Sequence, residues 1–411
     1  MNPAPLPNID SISPDTIYSF AGGIVGNINV NGSGFAAGQY PVSGGISFGS
    51  HAFGQVVNST LILLNLSFDD GDYSPGFFTL KICENSNGTN CGTSGTMAFL
   101  GAQNYLAASS TGELFFLDQA QEMPPGQNGY VRKYKADGTA DGSFFEGSPS
   151  HSIAVDNKTG NVLVDGGDYD ENGGPTVPYP TQPASQDPVM ALAAENGYGC
   201  FVQPANNSAS CYNLVGGDMG APLVTASNLG TTLVAIAMGV FGTETDAFVV
   251  SIAGTPSLYK VRASDAKVEG AALPLPGITP LSTVQSANPT AGGWQVVAFD
   301  SGPASGTVAV LSTYDQLLLF VNANTWTVTE KVVLTDTPFR ITTDVTHGAV
   351  IVAYANPANA TTTYASVDVA SGTVTPLLNT STLLSVGLAV SSDGTKLYSL
   401  QRDQIEVKQN Q

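Results

Sequence analysis

The chain has 411 residues, of which 33 are acidic and 13 basic, giving a formal net charge of −20 with only 11% charged residues. Hydrophobic residues make up 42%, more than an intrinsically disordered chain carries. The acidic surplus disfavours nucleic acid and anionic membrane surfaces as partners, because both are bound by clustered Lys and Arg. No run of about 18 apolar residues is present, so the sequence predicts no transmembrane segment.

The cysteines indicate how the chain is cross-linked. The four Cys fall in two local pairs, Cys83 with Cys91 and Cys200 with Cys211. Each pair brackets a polar segment typical of a hairpin tip, so we predict the disulfides Cys83–Cys91 and Cys200–Cys211. Zinc binding is the alternative, but zinc ligands normally lie a few residues apart with further Cys or His nearby.

The predicted disulfides bear on the compartment of the protein. Residues 1–8 lack the basic, apolar and cleavage regions of a signal peptide. Two explanations compete: the protein is cytosolic, or its export signal is not in the given chain. Because disulfides form in oxidising compartments, we favour the second and expect a secreted, periplasmic or cell-surface protein, of bacterial type.

The first hundred residues have a strand pattern of their own. It includes Ile9–Pro14, Gly26–Phe35 and Phe77–Ile82. Ile28 and Val30 alternate with polar residues, which places apolar side chains on one face of a sheet. This order resembles the IPT/TIG family, an immunoglobulin-like domain common in bacterial surface proteins. The resemblance implies a β-sandwich over residues 1–97.

The remainder of the chain contains diverged repeats. Ser152–Val164, Arg340–Val352 and Gly387–Ser399 each read as a strand, a turn with Asp or Gly, and a second strand. These units resemble the NHL and YVTN propeller repeats, which implies four-stranded blades. We therefore predict an all-β protein in which a β-propeller over residues 98–411 follows the sandwich. Six blades are favoured, with seven as the alternative.

One acidic segment is a candidate metal site. Asp168, Asp170, Asn172 and Gly173 occupy the first, third, fifth and sixth positions of an EF-hand-like calcium loop. The twelfth position is Tyr179 instead of the bidentate Glu, so a full EF-hand is excluded. A partial calcium site at Asp168, Asp170 and Asn172 competes with a solvated acidic turn, and calcium is the one candidate cofactor.

Two long insertions are candidate recognition loops. They are Gln119–Tyr130 and a proline-rich excursion that runs through Pro175–Pro183. Long insertions in repeat proteins tend to gather on one face and carry recognition. We predict that Tyr130, Tyr169 and Tyr179 form an aromatic rim that binds a glycan or a protein segment. The alternative is a pair of stiff surface loops without a ligand.

Few residues suggest catalysis. The chain has three His and no recognised catalytic motif. Asp156, Asp344 and Asp393 occupy related hairpin positions, where Asp more often stabilises a turn. We therefore predict no catalytic residue and a non-enzymatic protein that binds a glycan or an extracellular protein. A propeller lactonase or hydrolase is one alternative, and a homo-oligomeric subunit of a surface layer or filament is another.

Overall fold

The computed structural model describes most of the chain. The described residues are 6–13, 15–19, 23–44, 52–68, 76–84, 89–101, 106–118, 130–145, 152–164, 167–169, 175–177, 191–203, 207–215, 224–230, 232–280, 293–401 and 404–410. Within these ranges the chain is built of β-strands and contains no α-helix. The predicted all-β class is therefore confirmed. No helix in this part is long and apolar enough to cross a membrane.

The N-terminal region forms two four-stranded sheets. Its described strands are β1 (Asn8–Ser13), β2 (Thr16–Ser19), β3 (Gly23–Ser33), β4 (Tyr40–Gly44), β5 (Ala52–Asn58), β6 (Leu61–Phe68), β7 (Gly76–Cys83) and β8 (Cys91–Gly101). One sheet has the order β1-β3-β6-β5 and the other the order β2-β8-β7-β4. This is the strand arrangement of an immunoglobulin-like sandwich.

The two sheets enclose one apolar core. Alternate side chains point inward, as the period of a strand requires: Ile28 and Val30 come from β3, while Leu80 and Ile82 come from β7. All four are at most 1% exposed. The alternation that predicted this sheet face therefore continues into the opposite sheet.

The described residues from 106 to 410 form seven sheets. Blades 1 to 3 contain β9 (Leu106–Ala108), β10 (Leu114–Asp118), β11 (Tyr130–Tyr134), β12 (Ala140–Phe145), β13 (Ile153–Val155), β14 (Val162–Val164), β15 (Gly167–Tyr169), β16 (Pro175–Val177), β17 (Ala191–Glu195), β18 (Tyr198–Gln203), β19 (Ser208–Asn213) and β20 (Val224–Ala226). Blade 4 contains β21 (Leu233–Phe241), β22 (Glu244–Ser251), β23 (Ser257–Arg262), β24 (Lys267–Val268) and β25 (Leu273–Pro274). Consecutive strands pair antiparallel within blades 1 to 3 and from β21 to β24, and β25 pairs antiparallel with β23.

Blades 5 to 7 complete the series. They contain β26 (Trp294–Phe299), β27 (Thr307–Ser312), β28 (Leu317–Asn322), β29 (Thr327–Val333), β30 (Thr337–Asp344), β31 (Ala349–Asn356), β32 (Thr361–Asp368), β33 (Val374–Ser381), β34 (Gly387–Val390), β35 (Lys396–Gln401) and β36 (Gln404–Gln409). A 3-10 helix, Pro357–Asn359, joins β31 to β32. Blade 7 has three described strands, whereas blades 5 and 6 have four.

The seven sheets close into a ring. The first strand of each blade contacts the first strand of the next, in the order β9, β13, β17, β21, β26, β30 and β34, and β34 contacts β9 again. Lys396 Nζ and Tyr398 OH of blade 7 both donate to the Ala136 carbonyl of blade 1, at 3.0 and 2.9 Å. The propeller therefore closes through side chains that join its last blade to its first.

The favoured count of six blades is wrong, and the alternative of seven is the one found. The described part of residues 151–218, a stretch that we counted as one blade in the sequence, contains two sheets, one starting at β13 and one starting at β17. The strands of blade 2 are only three residues long, too short for a clear apolar pattern. Pro175–Val177, read as the start of an insertion, is the outermost strand of that blade, where proline is tolerated.

Blade 5 buries its middle strands against both neighbouring blades. Val308–Leu311 of β27 and Leu317–Val321 of β28 are buried throughout, since both faces of these strands pack on other blades. The outermost strand β29 is largely exposed. This difference explains why the middle strands read as continuous apolar runs in the sequence.

The sandwich and the propeller meet along β8. This strand extends to Gly101, so the predicted boundary after residue 97 falls within it. Ala98 is fully buried in an apolar cluster that it shares with blades 1, 2, 6 and 7. The 3-10 helix Pro357–Asn359 also contacts β8. The sandwich therefore lies against one end of the propeller.

Candidate functional site

The two ends of the propeller differ in what they carry. Strands alternate in direction within each blade, so the first strand of every blade begins at the same end of the propeller. We call this end the near face, and we call the opposite end, where the first strands finish, the far face. The sandwich contacts the near face, where β8 leads toward β9 and the 3-10 helix lies. At the far face, carboxylates lie at or directly after the ends of four first strands: Asp156, Glu195, Asp300 and Asp344.

Asp156 joins blade 2 to blade 3. Its Oδ2 accepts from Thr159 N at 2.9 Å and Thr159 Oγ1 at 2.6 Å, and its Oδ1 accepts from Gly197 N at 2.9 Å. The side chain is 0% exposed, so these bonds replace its hydration. Both oxygens are already engaged, which assigns Asp156 to holding turns in place and leaves it no vacant position for a substrate.

Asp344 performs the same task between blades 6 and 7. Its Oδ1 accepts from His347 N at 3.1 Å, and its Oδ2 lies 2.8 Å from His347 Nδ1 and 2.6 Å from Asn410 Nδ2. Asp393, in the equivalent turn of blade 7, binds Ser391 and Thr395. These hydrogen bonds lower the pKa of Asp393 to about 2. The expectation that Asp156, Asp344 and Asp393 stabilise turns is thus confirmed.

Glu195 is different, because its carboxyl group is not consumed by such contacts. Burial first, and then the charges of Asp300 and Asp156, raise the pKa of Glu195 to about 7. Only weaker opposing effects come from hydrogen bonds with Asn196 N, at 3.1 Å, and with the Asn157 side chain. Near neutral pH this group is divided between acid and carboxylate. It can therefore exchange a proton or bind a cationic group more tightly as the pH rises.

Blade 4 adds a mixed cluster of charges to the far face. It consists of two basic and four acidic side chains: Lys260, Arg262, Glu244, Asp246, Asp265 and Glu269. Lys260 Nζ lies 3.0 Å from Asp246 Oδ2, and Arg262 Nε lies 3.3 Å from Glu244 Oε2. Burial raises the pKa of the Asp246 carboxyl. Since the acids outnumber the bases, the cluster leaves negative charge at this face.

The predicted aromatic rim is not brought together in the described part of the chain. Tyr130 begins β11 and Tyr169 ends β15. Both strands are third in their blades, so Tyr130 lies at the near face and Tyr169 at the far face. Tyr179 lies outside the described residues. The strands on both sides of residues 119–129, and on both sides of residues 178–190, nevertheless end or begin at the near face.

The calcium site stays a prediction. Asp168 is the middle residue of β15, opposite Leu163, while Asp170 and Asn172 lie outside the described residues. Within the described ranges, no group of three or more His, Cys, Asp or Glu side chains is arranged to hold a metal ion.

Both predicted disulfides are confirmed. Cys83 and Cys91 face each other across β7 and β8, and Cys200 and Cys211 face each other across β18 and β19. The second bond lies within the ladder, whereas the first closes the end of its hairpin. Within the described residues no cysteine is left as a free thiol.

Neither Glu195 nor Asp300 was predicted as a site residue from the sequence. A signal was present, because Ala194-Glu195-Asn196 repeats the order Val155-Asp156-Asn157. Aligning the ends of first strands would have shown an acid at the same position in blades 2, 3, 5 and 6. The raised pKa of Glu195 could not have been found this way, because Asp300 lies two blades further along the chain.

Comparisons with known proteins support the fold alone. No family model and no curated protein match the chain. Among solved structures, 687 chains match. One belongs to the "Crystal Structure of Mitotic Checkpoint Complex" and is 14% identical, with a TM-score of 0.51 over 75% of this chain and 87% of that chain. At this identity the likeness shows that the chain contains a β-propeller.

Proposed function

We propose that this is an extracytoplasmic, non-catalytic binding protein whose far face holds a basic segment of a partner protein. The observation that carries the proposal is the set of carboxylates at that face, which includes Glu195, Asp300 and the blade 4 cluster. The sandwich contacts the near face, so it leaves this acidic surface accessible. Complementary charge accelerates the encounter with a basic partner and favours it over acidic ones.

Three further observations support a binding protein in an extracytoplasmic compartment. The net charge of −20 disfavours nucleic acid, two disulfides suit an oxidising compartment, and the closed ring supplies a rigid platform. We retain the IPT/TIG and NHL/YVTN relationships as part of the proposal, because strand order supports the architecture of both but does not distinguish these families from others.

A lysine-rich peptide is the probe for this function. Isothermal titration should show binding that weakens with salt and strengthens from about pH 6 to about pH 8, as Glu195 ionises. Glu195→Gln with Asp300→Asn should reduce the affinity at least about tenfold. Asp336→Asn removes one exposed carboxylate just before β30, at the near face, and serves as the matched control. Unchanged affinity in the double variant would exclude this face.

Hydrolysis is the second candidate, favoured by one observation. A carboxyl group whose pKa is raised by burial and by a second carboxyl is the arrangement that glycosidases use for a general acid, and Glu195, whose pKa is raised by burial and by the charge of Asp300, has this character. Nitrophenyl glycosides and aryl lactones should then be cleaved by the wild type and not by Glu195→Gln. Absence of cleavage by the wild type across these substrates would leave the binding function.

The proposed binding function includes one alternative ligand, a glycan bound by the insertions at the near face. Its test is deletion of residues 178–183 followed by a glycan array. The deletion must spare Pro175–Val177, because that segment is the outer strand of blade 2. Array binding that disappears on deletion would assign the glycan to this loop, and array binding that persists would assign it elsewhere.

A further inference from the structure

The sequence contains repeated acceptor motifs for N-linked sugar. Asn-X-Ser/Thr with X other than proline is the motif, and it occurs eight times: at Asn31, Asn58, Asn65, Asn87, Asn157, Asn206, Asn359 and Asn379. A glycan can persist on a folded protein only where the asparagine amide nitrogen reaches solvent. The structure therefore ranks these sites by what each amide already contacts.

Asn58 presents its amide nitrogen to solvent. It is the exposed last residue of β5, directly before the turn that leads to β6. Its Oδ1 accepts from Thr60 N at 2.8 Å and from Thr60 Oγ1 at 2.9 Å, so the asparagine carbonyl contacts the hydroxyl of its own motif. Among the described residues no contact engages Nδ2. The amide is thus held by its oxygen and presents its nitrogen to solvent.

Other motifs use the amide within the protein. Asn379 is half-buried, and its Nδ2 donates to the Gln409 carbonyl at 2.7 Å. Asn157 accepts from Ser110 N at 2.8 Å through Oδ1 and also contacts Glu195. A sugar on either nitrogen would disrupt contacts between neighbouring blades.

Asn58 also lies at the end of the sandwich away from the propeller. Asn58 and Asn31 flank Leu61 on the two neighbouring strands. This end holds the start of β8, because Ile9 pairs with Gly32 and its N–H donates to Thr93 Oγ1 at 3.0 Å. A glycan here would project from the tip and cover the edge strand β5, whose Val57 is 48% exposed, against pairing with another chain.

We propose that Asn58 is an acceptor for N-linked oligosaccharide, transferred from a lipid diphosphate donor by the exporting cell. In the reaction, Nδ2 forms a bond to the anomeric carbon of the sugar and gives up one proton. The bond from that carbon to the diphosphate oxygen breaks, and the lipid diphosphate leaves with the electron pair. The inference rests on the proposed export and not on the proposed ligand.

The test is secretion of the full chain from a eukaryotic cell behind a cleavable leader. Peptide mapping should find Asn58 glycosylated, and peptide-N-glycosidase should release the sugar and leave aspartate at this position. Asn58→Gln and Thr60→Ala should each remove one glycan from the intact mass, whereas Thr60→Ser should keep it. Asn379→Gln is the matched control and should leave the glycan count unchanged.

The outcomes separate the modification from export. Protein that carries both disulfides but an unmodified Asn58 would overturn the proposal and leave export intact. Retained intracellular protein is mapped as well, because transfer occurs on passage into the lumen, so an unmodified Asn58 in that pool also overturns it. Glycosylation of Asn379 in place of Asn58 would contradict the ranking by amide contacts.

Discussion

The junction between blades 2 and 3 and the junction between blades 6 and 7 use the same device with different results. In each, a buried aspartate at or just after the end of the first strand accepts a hydrogen bond from the next blade: Asp156 from Gly197 N, and Asp344 from Asn410 Nδ2. At the first junction a second carboxyl, Glu195, stands nearby and has a raised pKa. At the second, the neighbour is His347, which binds the aspartate itself.

The same position in two repeats therefore has no fixed role. An aspartate whose oxygens are all bonded to turns contributes to stability and has no capacity left for a ligand. A glutamate one blade further, which is longer and has fewer such partners, keeps a titratable group at the far face. Function in this propeller is therefore expected where the hydrogen-bond pattern of the repeat is incomplete.

The largest effect should come from Asp156→Ala. The change leaves the half-buried N–H group of Thr159 and the buried N–H group of Gly197 without their acceptor, and each unsatisfied group is costly. We expect a loss of about 3 to 4 kcal/mol in the free energy of unfolding, measured by chemical denaturation. Asp344→Ala should cause a similar loss if the two junctions are equivalent. A much smaller loss would show that the two aspartates do not stabilise their junctions equally.

A matched control separates burial from turn formation. Asp393→Ala removes an exposed aspartate from the corresponding turn of blade 7, and this side chain binds only within its own turn. It should change the unfolding free energy far less than Asp156→Ala does. Equal losses would mean that turn formation, and not the link between blades, explains the effect of Asp156.

The disulfide in blade 3 should rank next. Cys200–Cys211 reinforces a blade next to the first junction, whereas blade 7 has three described strands and no disulfide. Replacing both cysteines by serine should cost about 3 kcal/mol, from the entropy of the short closed loop. Chemical denaturation under oxidising conditions measures it. Replacing Cys83 and Cys91 by serine is the control. It should leave the pH dependence of the unfolding free energy that Glu195 causes unchanged.

The features that could be predicted from the sequence are local ones. Cys83 and Cys91 are close in sequence around a polar turn, so their pairing needed no knowledge of the fold. The turn of Asp393 likewise carries its partners, Ser391 and Thr395, within a few residues. The blade architecture followed because each blade is a compact unit of consecutive strands.

The features that could not be predicted depend on distant residues or weak patterns. The strands of blade 2 have three residues each, which gives no measurable period. The pKa of Glu195 depends on its burial and on Asp300, and only ring closure brings these together. Tyr130 and Tyr169 were both assigned to the predicted rim, but Tyr130 begins its strand and Tyr169 ends its own, which places them at opposite faces.

The variant Glu195→Gln tests the difference between the two junctions through the pH dependence of the unfolding free energy. In the folded protein the pKa of Glu195 is about 7, above its ordinary value of 4.5, so the folded state favours the protonated form. The stabilisation of the folded state by protonated Glu195 is complete below about pH 4.5 and is lost as the pH rises through about 7. The variant should therefore gain up to about 2 kcal/mol over the wild type between about pH 5 and about pH 8. A difference independent of pH would show that Glu195 titrates normally.

The smallest effect concerns how blade 7 is held. The Tyr364 hydroxyl of blade 6 lies 2.8 Å from Ser399 Oγ, which donates to Ser385 Oγ at 2.9 Å. Tyr364→Phe keeps the ring and removes this link, leaving two buried serines to rearrange, so we expect a loss of about 1 kcal/mol. Tyr314→Phe, at an exposed position, is the matched control and should change nothing measurable in chemical denaturation. If Tyr364→Phe is equally silent, the second junction depends on Asp344 and apolar packing alone, and its hydroxyl chain adds no stability.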